Sequence, residues 1–191
     1  MFDTRLIIGL KERIDIKTYC EGEKTRLRLV RLKDAPLIAR WKKEAYLRRM
    51  ALSRVTRITL SEQRDDIRQA VESPNQLYLI IEKKETRTPA GYVRINWIDD
   101  ENRFAWLRFA IGDDRFRRKG LMRDALKSLL SWLFEKGMRR VDAEVYDFNK
   151  PSLALLEGLG FMREGLKRKA LFDGKDYHDV VVLGLLRSDW E

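Results

Sequence analysis

The chain has 191 residues, 44% of them hydrophobic, and 40 Lys and Arg against 30 Asp and Glu, a formal charge of +10. That is enough for one folded domain with a buried core and a surface potential that favours anionic ligands. A single cysteine, Cys20, and a single histidine, His178, exclude an intrachain disulfide, a cysteine-rich zinc site and a multi-histidine metal site.

The longest apolar runs, VVVLGLL and LSWLF, are too short to cross a bilayer as helices. The first residues, MFDTRLIIGLKERIDIK, mix charge into their apolar positions rather than forming a secretory core, so the expectation is a soluble, cytoplasmic protein without a membrane partner. Basic residues are spread along the whole chain without the interleaved aromatics of an RNA-binding signature. RNA or ribosome association therefore has only net charge behind it. No repeat, low-complexity segment or Pro-, Gly- or Ser-rich linker divides the chain, which reads as an extension over residues 1–24 and one domain over residues 25–191.

In chain order, RIDIKTY (residues 13–19) and TRLRLVR (residues 25–31) alternate polar with apolar residues around the turn CEGEK, a hairpin pattern. Asp34, Ala35 and Pro36 start a helix with Leu37, Ile38 and Trp41 on one face, continuing with breaks to Met50. Thr59 or Ser61 caps a second helix that runs to about Val71 and ends at SPNQ. Three strands follow as a meander: LYLIIE, AGYVRINWI and FAWLRFAI, the last two joined by DDEN. Met122, Ala125, Leu126, Leu129 and Leu133 then mark one face of a long helix that Gly137 stops. RRVDAEV, a short helix from about Pro151, and the strands GFMREGLKR and DVVVLGLL complete the chain. Strand, long helix, strand in that order predicts a right-handed parallel crossover with Phe109 to Ile111 beside Val141 to Val145.

Two loops in this frame draw attention. RFRRKG, Arg115 to Gly120, gathers four basic residues before a helix start, where unpaired N–H groups and the positive end of the helix dipole suit an anion. NKPSLALLEGLGF, Asn149 to Phe161, opens a short helix with a cap residue and a proline and closes on a glycine turn. Each also has a plain structural reading: the first as a solvated loop, the second as helix cap and core.

Together, the two stretches resemble the GNAT superfamily of acyl-CoA-dependent N-acetyltransferases, over roughly Thr25 to Trp190. Arg117, Arg118, Lys119, Gly120, Leu121 and Met122 match its acyl-CoA signature, with Met122 in place of a small residue. Asn149, Ser152, Leu155, Gly160 and Phe161 match its downstream signature. The tail GKDYHDVVVLGLL, with His178 and Asp179, is most similar to the branch that acetylates ribosomal-protein N-termini, which has relatives acting on polyamines and amino sugars. The resemblance implies an α/β (α+β) fold with a mixed central sheet, flanking helices and an extra N-terminal hairpin. The family's fourth and fifth strands, here FAWLRFAI and RRVDAEV, would be parallel and splayed.

It also implies acetyl-CoA as cosubstrate, no metal, and an amine acceptor that is a small molecule or a protein N-terminus. The amides of Arg117 through Met122 would cradle the pyrophosphate, with Gly120 there for want of a side chain. Main-chain groups of Phe109 and Ile111 and the side chain of Asn149 would hold the pantetheine arm. Ser152 is implied as the group that protonates or solvates the leaving thiolate, because Leu156 stands where many relatives have tyrosine. FAWLRFAI lacks the carboxylate that serves many members as base. Glu144, on the neighbouring strand, is the candidate, a surface salt bridge being its other reading. A coenzyme-binding protein without catalysis is the competing class.

Overall fold

The sheet is built from the alternating segments. In the computed structural model, which describes residues 20–50 and 58–190, β1 (Cys20–Glu21) and β2 (Thr25–Leu29) form the N-terminal hairpin, with Cys20 opposite Leu27. The strand therefore reaches into CEGEK, and the turn is Gly22 to Lys24; residues 13–19, expected as its first arm, lie outside the described residues.

Helix α1 (Ala35–Lys43) has Pro36 in its first turn. Extended backbone at Glu44 (φ −64°, ψ 133°) separates it from α2 (Ala45–Met50). Thr59, rather than Ser61, caps α3 (Leu60–Glu72): its hydroxyl accepts from the Glu62 amide at 3.2 Å while the Glu62 carboxylate takes the Thr59 amide at 2.8 Å. The meander is β3 (Leu77–Lys83), β4 (Pro89–Asp99) and β5 (Phe104–Ile111). Then come α4 (Leu121–Glu135), β6 (Arg140–Tyr146), α5 (Lys150–Glu157), β7 (Met162–Phe172) and β8 (Tyr177–Leu186).

The eight strands run in the order β1-β2-β3-β4-β5-β6-β8-β7, and β5–β6 is the parallel pair. One core lies between the sheet and α4, around Ile95, Leu107, Leu126, Leu129, Val141 and Leu183. A second lies between the other face and α1 and α3, around Ile38, Trp41, Ile67, Tyr78 and Ile80.

The crossover is as expected in direction but not in extent. Parallel pairing joins Phe104–Leu107 to Arg140–Ala143 and stops, so Phe109 to Ile111 are not beside Val141 to Val145. Past that point β5 stays with β4 (Phe109 opposite Val93) and β6 stays with β8 (Glu144 opposite Val182). A register shift between Ile95 and Trp97 leaves Asn96 as an extra residue on β4 beside the point of divergence. Such a bulge bends its strand and adds twist, which carries the β4–β5 pair away from β6.

Candidate active site

The basic loop leaves β5 at its carboxyl end and begins with a clamp. The Asp113 carboxylate accepts the Arg115 amide at 3.0 Å and the Arg115 guanidinium at 2.6 Å, and these contacts hold its carboxyl at about 2. Arg115 is thus turned back on its own loop. The Arg117 amide donates to the Asp114 carbonyl at 3.0 Å, while the amides of Arg118, Lys119 and Gly120 make no backbone bond of this kind among the described residues. Arg118 (φ 57°) and Gly120 (φ 76°) both take left-handed backbone. This is accessible to glycine at no steric cost, and it stands where the first amides of α4 have no intrahelical partner.

The Arg117 guanidinium lies 4.2 Å from the Tyr46 ring centroid and 3.5 Å from a Glu44 carboxylate oxygen. Its Nε and Nη2 are buried without a hydrogen-bond partner. A Cβ on Gly120 would meet only the Lys24 ammonium, 3.6 Å away, which brings a further cation from the N-terminal hairpin to the loop.

Between this loop, the end of β5 and the start of α5 is a cavity of about 350 Å³. Phe109, Ile111, Arg117, Arg118, Lys119, Gly120, Leu121, Met122 and Asn149 all line it, as does Ser152. Met122 is mostly turned into the core beneath, with 8% of its surface exposed. Asn149 is buried and used at both ends: its oxygen accepts the Ser152 amide at 3.3 Å as the cap of α5, and its nitrogen donates to the Met50 carbonyl at 3.2 Å. Leu156 is wholly buried in the core and lines neither this cavity nor the next.

A second cavity, about 140 Å³, opens on the α1 side of the sheet and shares Met50, Phe109, Asn149 and Ser152 with the first. Glu144 lines it and accepts from the Lys167 ammonium at 2.5 Å, so the salt bridge foreseen as its other reading is formed. His178 and Asp179 line neither cavity. The His178 ring meets Asp173 of the β7–β8 connection at 2.7 Å, and the Asp179 carboxylate accepts the Lys169 amide of β7 at 2.7 Å.

Sequence reasoning missed most of the polar wall of this second cavity, Tyr78, Tyr92, Arg94, Asn96 and Arg108, which Lys42 of α1 joins. The signal was the alternation in GYVRIN and AWLRFA, which puts Tyr92 and Arg94, and Arg108, on the face opposite Val93 and Leu107. Asp66 of α3 joins Arg94 at 2.6 Å and Lys42 at 3.4 Å. Burial opposes the Asp66 charge, yet the two cations hold its carboxyl below the usual range. Burial pushes the Tyr92 phenol up to about 12 and Tyr78 well above its ordinary value, so both remain protonated and able to donate hydrogen bonds.

Among the described residues, no cluster of three or more His, Cys, Asp or Glu is arranged to hold a metal ion, and no helix is long and apolar enough to cross a membrane.

An acetyltransferase (GNAT) domain model matches residues 24–162. The putative ribosomal N-acetyltransferase YdaF of Bacillus subtilis (strain 168) is 31% identical over 102 residues, 53% of this chain and 55% of its own length. The chain spans about half the length of the first curated relatives it matches. Among solved structures, the RimL ribosomal L7/L12 alpha-N-protein acetyltransferase in complex with coenzyme A aligns with a TM-score of 0.79 at 21% identity, over 86% of this chain and 95% of that one. The spermidine N-acetyltransferase from Vibrio cholerae with CoA and spermine aligns with a TM-score of 0.81 at 18% identity, over 88% and 98%. At these identities the likeness concerns the fold, and the two proteins are named for different acceptors. With the family model covering most of the sheet, both cavities and the basic loop, the chain belongs to the GNAT acetyltransferase family.

Proposed function

We propose that this chain is an acetyl-CoA-dependent N-acetyltransferase in which a primary amine attacks the acetyl group directly. The observation that carries this reading is the meeting of the two cavities at Phe109, Asn149 and Ser152. A coenzyme arm on one side and an amine on the other would be brought to one point, which is what direct transfer needs. The residues present fit coenzyme A: a left-handed glycine, loop amides without backbone partners, and the cations of Arg118, Lys119 and Lys24 beside them suit a pyrophosphate.

When bound, acetyl-CoA supplies the activated acetyl group. The loop from Arg118 to Met122 and Lys24 would hold its phosphates, and the free edge of β5 at Phe109 to Ile111 would align its arm. Ser152, at the junction, would donate a hydrogen bond to the thiolate sulfur as it leaves. Thiols have an ordinary pKa of about 8.5, so modest help suffices. Glu144 is the proposed proton acceptor for the amine, directly or through water. The Lys167 ammonium, 2.5 Å from its carboxylate, would have to share it with the incoming amine.

The YdaF and RimL likenesses support a ribosomal-protein or other peptide N-terminus as acceptor. An amino sugar or other small amine is the second reading, favoured by the small size of the 140 Å³ cavity. Incubation with acetyl-CoA and a panel of peptide, amino-sugar and small-molecule amines, reading thiol release and acetylated product, tests the activity. Coenzyme binding without transfer to any amine would instead mark a non-catalytic sensor.

A further inference from the structure

The second cavity is lined by more positive charge than its own carboxylates neutralise. Arg94 on β4 and Arg108 on β5 are directly opposed across the ladder, a placement in which like charges repel. The two Nη groups of Arg94 donate to Asp66 at 2.6 Å and to the Gln76 side chain at 2.8 Å. Asp66 also serves Lys42, and Glu144, the other carboxylate here, is held by Lys167. Four cations, Lys42, Arg94, Arg108 and Lys167, therefore share two acids.

Arg108 is the one left over. Among the described residues it forms no ion pair; its guanidinium lies 4.9 Å from the Trp106 ring centroid and its Nε is buried without a hydrogen-bond partner. Burial, the largest influence on it, disfavours its charge, Arg94 adds to this, and Glu144 offsets it only at a distance. Three more buried polar atoms without partners belong to residues lining the same cavity: the Tyr78 hydroxyl, Arg94 Nε and Asn96 Oδ1. Buried polar groups are normally paired, and a guanidinium presents a planar fork that matches a carboxylate. A wall of this kind is completed by an occupant that carries an anion.

We propose that the acceptor carries a carboxylate within a few bonds of its amine, and that Arg108 binds this carboxylate so that the amine is directed to the junction at Ser152. The proposal rests on the acetyltransferase reading of the site. Two kinds of molecule carry this chemistry: free aminocarboxylic acids, and peptides whose first residue is Asp or Glu.

The test compares acceptor pairs differing only in carboxylate against carboxamide. One arm uses aspartate, glutamate and β-alanine with their amides; the other uses C-terminally amidated peptides starting with Asp or Glu against Asn or Gln. Turnover is followed by thiol release, and binding to the coenzyme A-loaded protein by calorimetry. The expected result is at least a tenfold preference for the carboxylate member of one arm in kcat/KM or Kd. In Arg108→Gln the preference shrinks to within about twofold, while acetyl-CoA affinity is kept. Arg108→Lys, which keeps the charge but loses the fork, retains part of it. Carboxylate-selective binding without turnover would sustain the carboxylate site at Arg108 and overturn its role in presenting an acceptor amine, together with the acetyltransferase reading. Turnover of amines with no carboxylate preference, or a preference that survives in a folded Arg108→Gln protein, would overturn the inference and leave the acetyltransferase reading intact. A panel with neither turnover nor carboxylate-dependent binding overturns both.

Discussion

Thr25 gives both its amide and its hydroxyl to a single oxygen of Asp124, at 2.9 and 2.6 Å, across 99 residues of sequence. The same carboxylate takes the amides of Glu23 and Lys24 at 2.9 and 3.0 Å, so one side chain in the first turn of α4 holds the whole β1–β2 turn. Its approach is so close that a Cβ on Gly22 would sit 2.2 Å from Asp124 Oδ2. Hydrogen bonds to charged groups contribute about 1.5–3 kcal/mol each when sheltered and less when wet, and two of these four are exposed. Asp124→Ala is therefore expected to destabilise the protein by about 2–3 kcal/mol in urea unfolding. Because Lys24 stands beside Gly120, the variant should also weaken acetyl-CoA binding. Loss of stability alone, with coenzyme affinity kept, would separate the turn from the site.

Gly120 tests the coenzyme loop. Gly120→Glu puts bulk, strain and negative charge where the pyrophosphate is proposed to lie, and acetyl-CoA affinity is expected to fall at least tenfold, about 1.4 kcal/mol. Gly120→Asn, a residue that tolerates left-handed backbone, is the control for strain. Calorimetry on folded variants decides. Unchanged binding by the glutamate variant would place the phosphates elsewhere.

Ser152 tests the chemistry. Ser152→Ala should lower kcat by roughly 10- to 1000-fold while leaving acetyl-CoA binding nearly unchanged. The α5 cap is formed by Asn149 and the Ser152 amide, not its hydroxyl, so helix stability gives no competing explanation. An unchanged kcat, with turnover shown to be insensitive to viscosity, would leave this serine as an ordinary residue of the first turn.

Acceptor charge can be read without mutation. Lys42, Arg94 and Arg108 face the second cavity, and a polyamine would bring two or more ammonium groups towards them. Spermine and spermidine are expected to turn over at least about tenfold less efficiently than a peptide or amino-sugar acceptor, with the gap narrowing as salt screens the repulsion. A polyamine that proved the best acceptor at low salt would show that this wall does not meet the substrate.

Cys20 supplies a pH test. Burial pushes its thiol up to about 12, the Ser128 hydroxyl at 3.8 Å offsetting only part of that. Since the thiolate is the reactive form, a thiol reagent at pH 8 should modify the folded protein at least about 100-fold more slowly than the urea-unfolded chain. The folded value lies above the unfolded one, so the linked stability is complete below the ordinary thiol range and is lost as pH rises towards about 12. Rapid native labelling would contradict the burial.

What could be read from the sequence was local. Thr59 as one of two cap candidates, Pro36 in the first turn of α1, Asn149 before Pro151, and Gly120 at a helix mouth are signals confined to a few residues, and those elements stand where they were expected. What escaped was set by pairing across distance. The role of Arg108 depends on its register opposite Arg94, which only the assembled meander defines, and on Asp66 being taken by α1 and β4. Phe109 to Ile111 were expected beside β6 because topology gives a strand's neighbour but not how far the two stay together. The Asp124 anchor joins segments about a hundred residues apart and leaves no periodic trace.

The divergence of β5 and β6 after Leu107 and Ala143 has a consequence for solvent exchange. Each strand keeps its other neighbour, so along Arg108–Ile111 and Glu144–Tyr146 the amides alternate between one held in a ladder and one facing the gap. The gap-facing set can trade protons with water without any opening of the sheet, whereas the ladder set must wait for larger excursions. Deuterium uptake along these short segments should therefore split into fast and slow sites at alternate residues. An extended molecule lying in the gap would slow the fast set on β5 while leaving the ladder set untouched, a signature of occupancy that needs no turnover to observe.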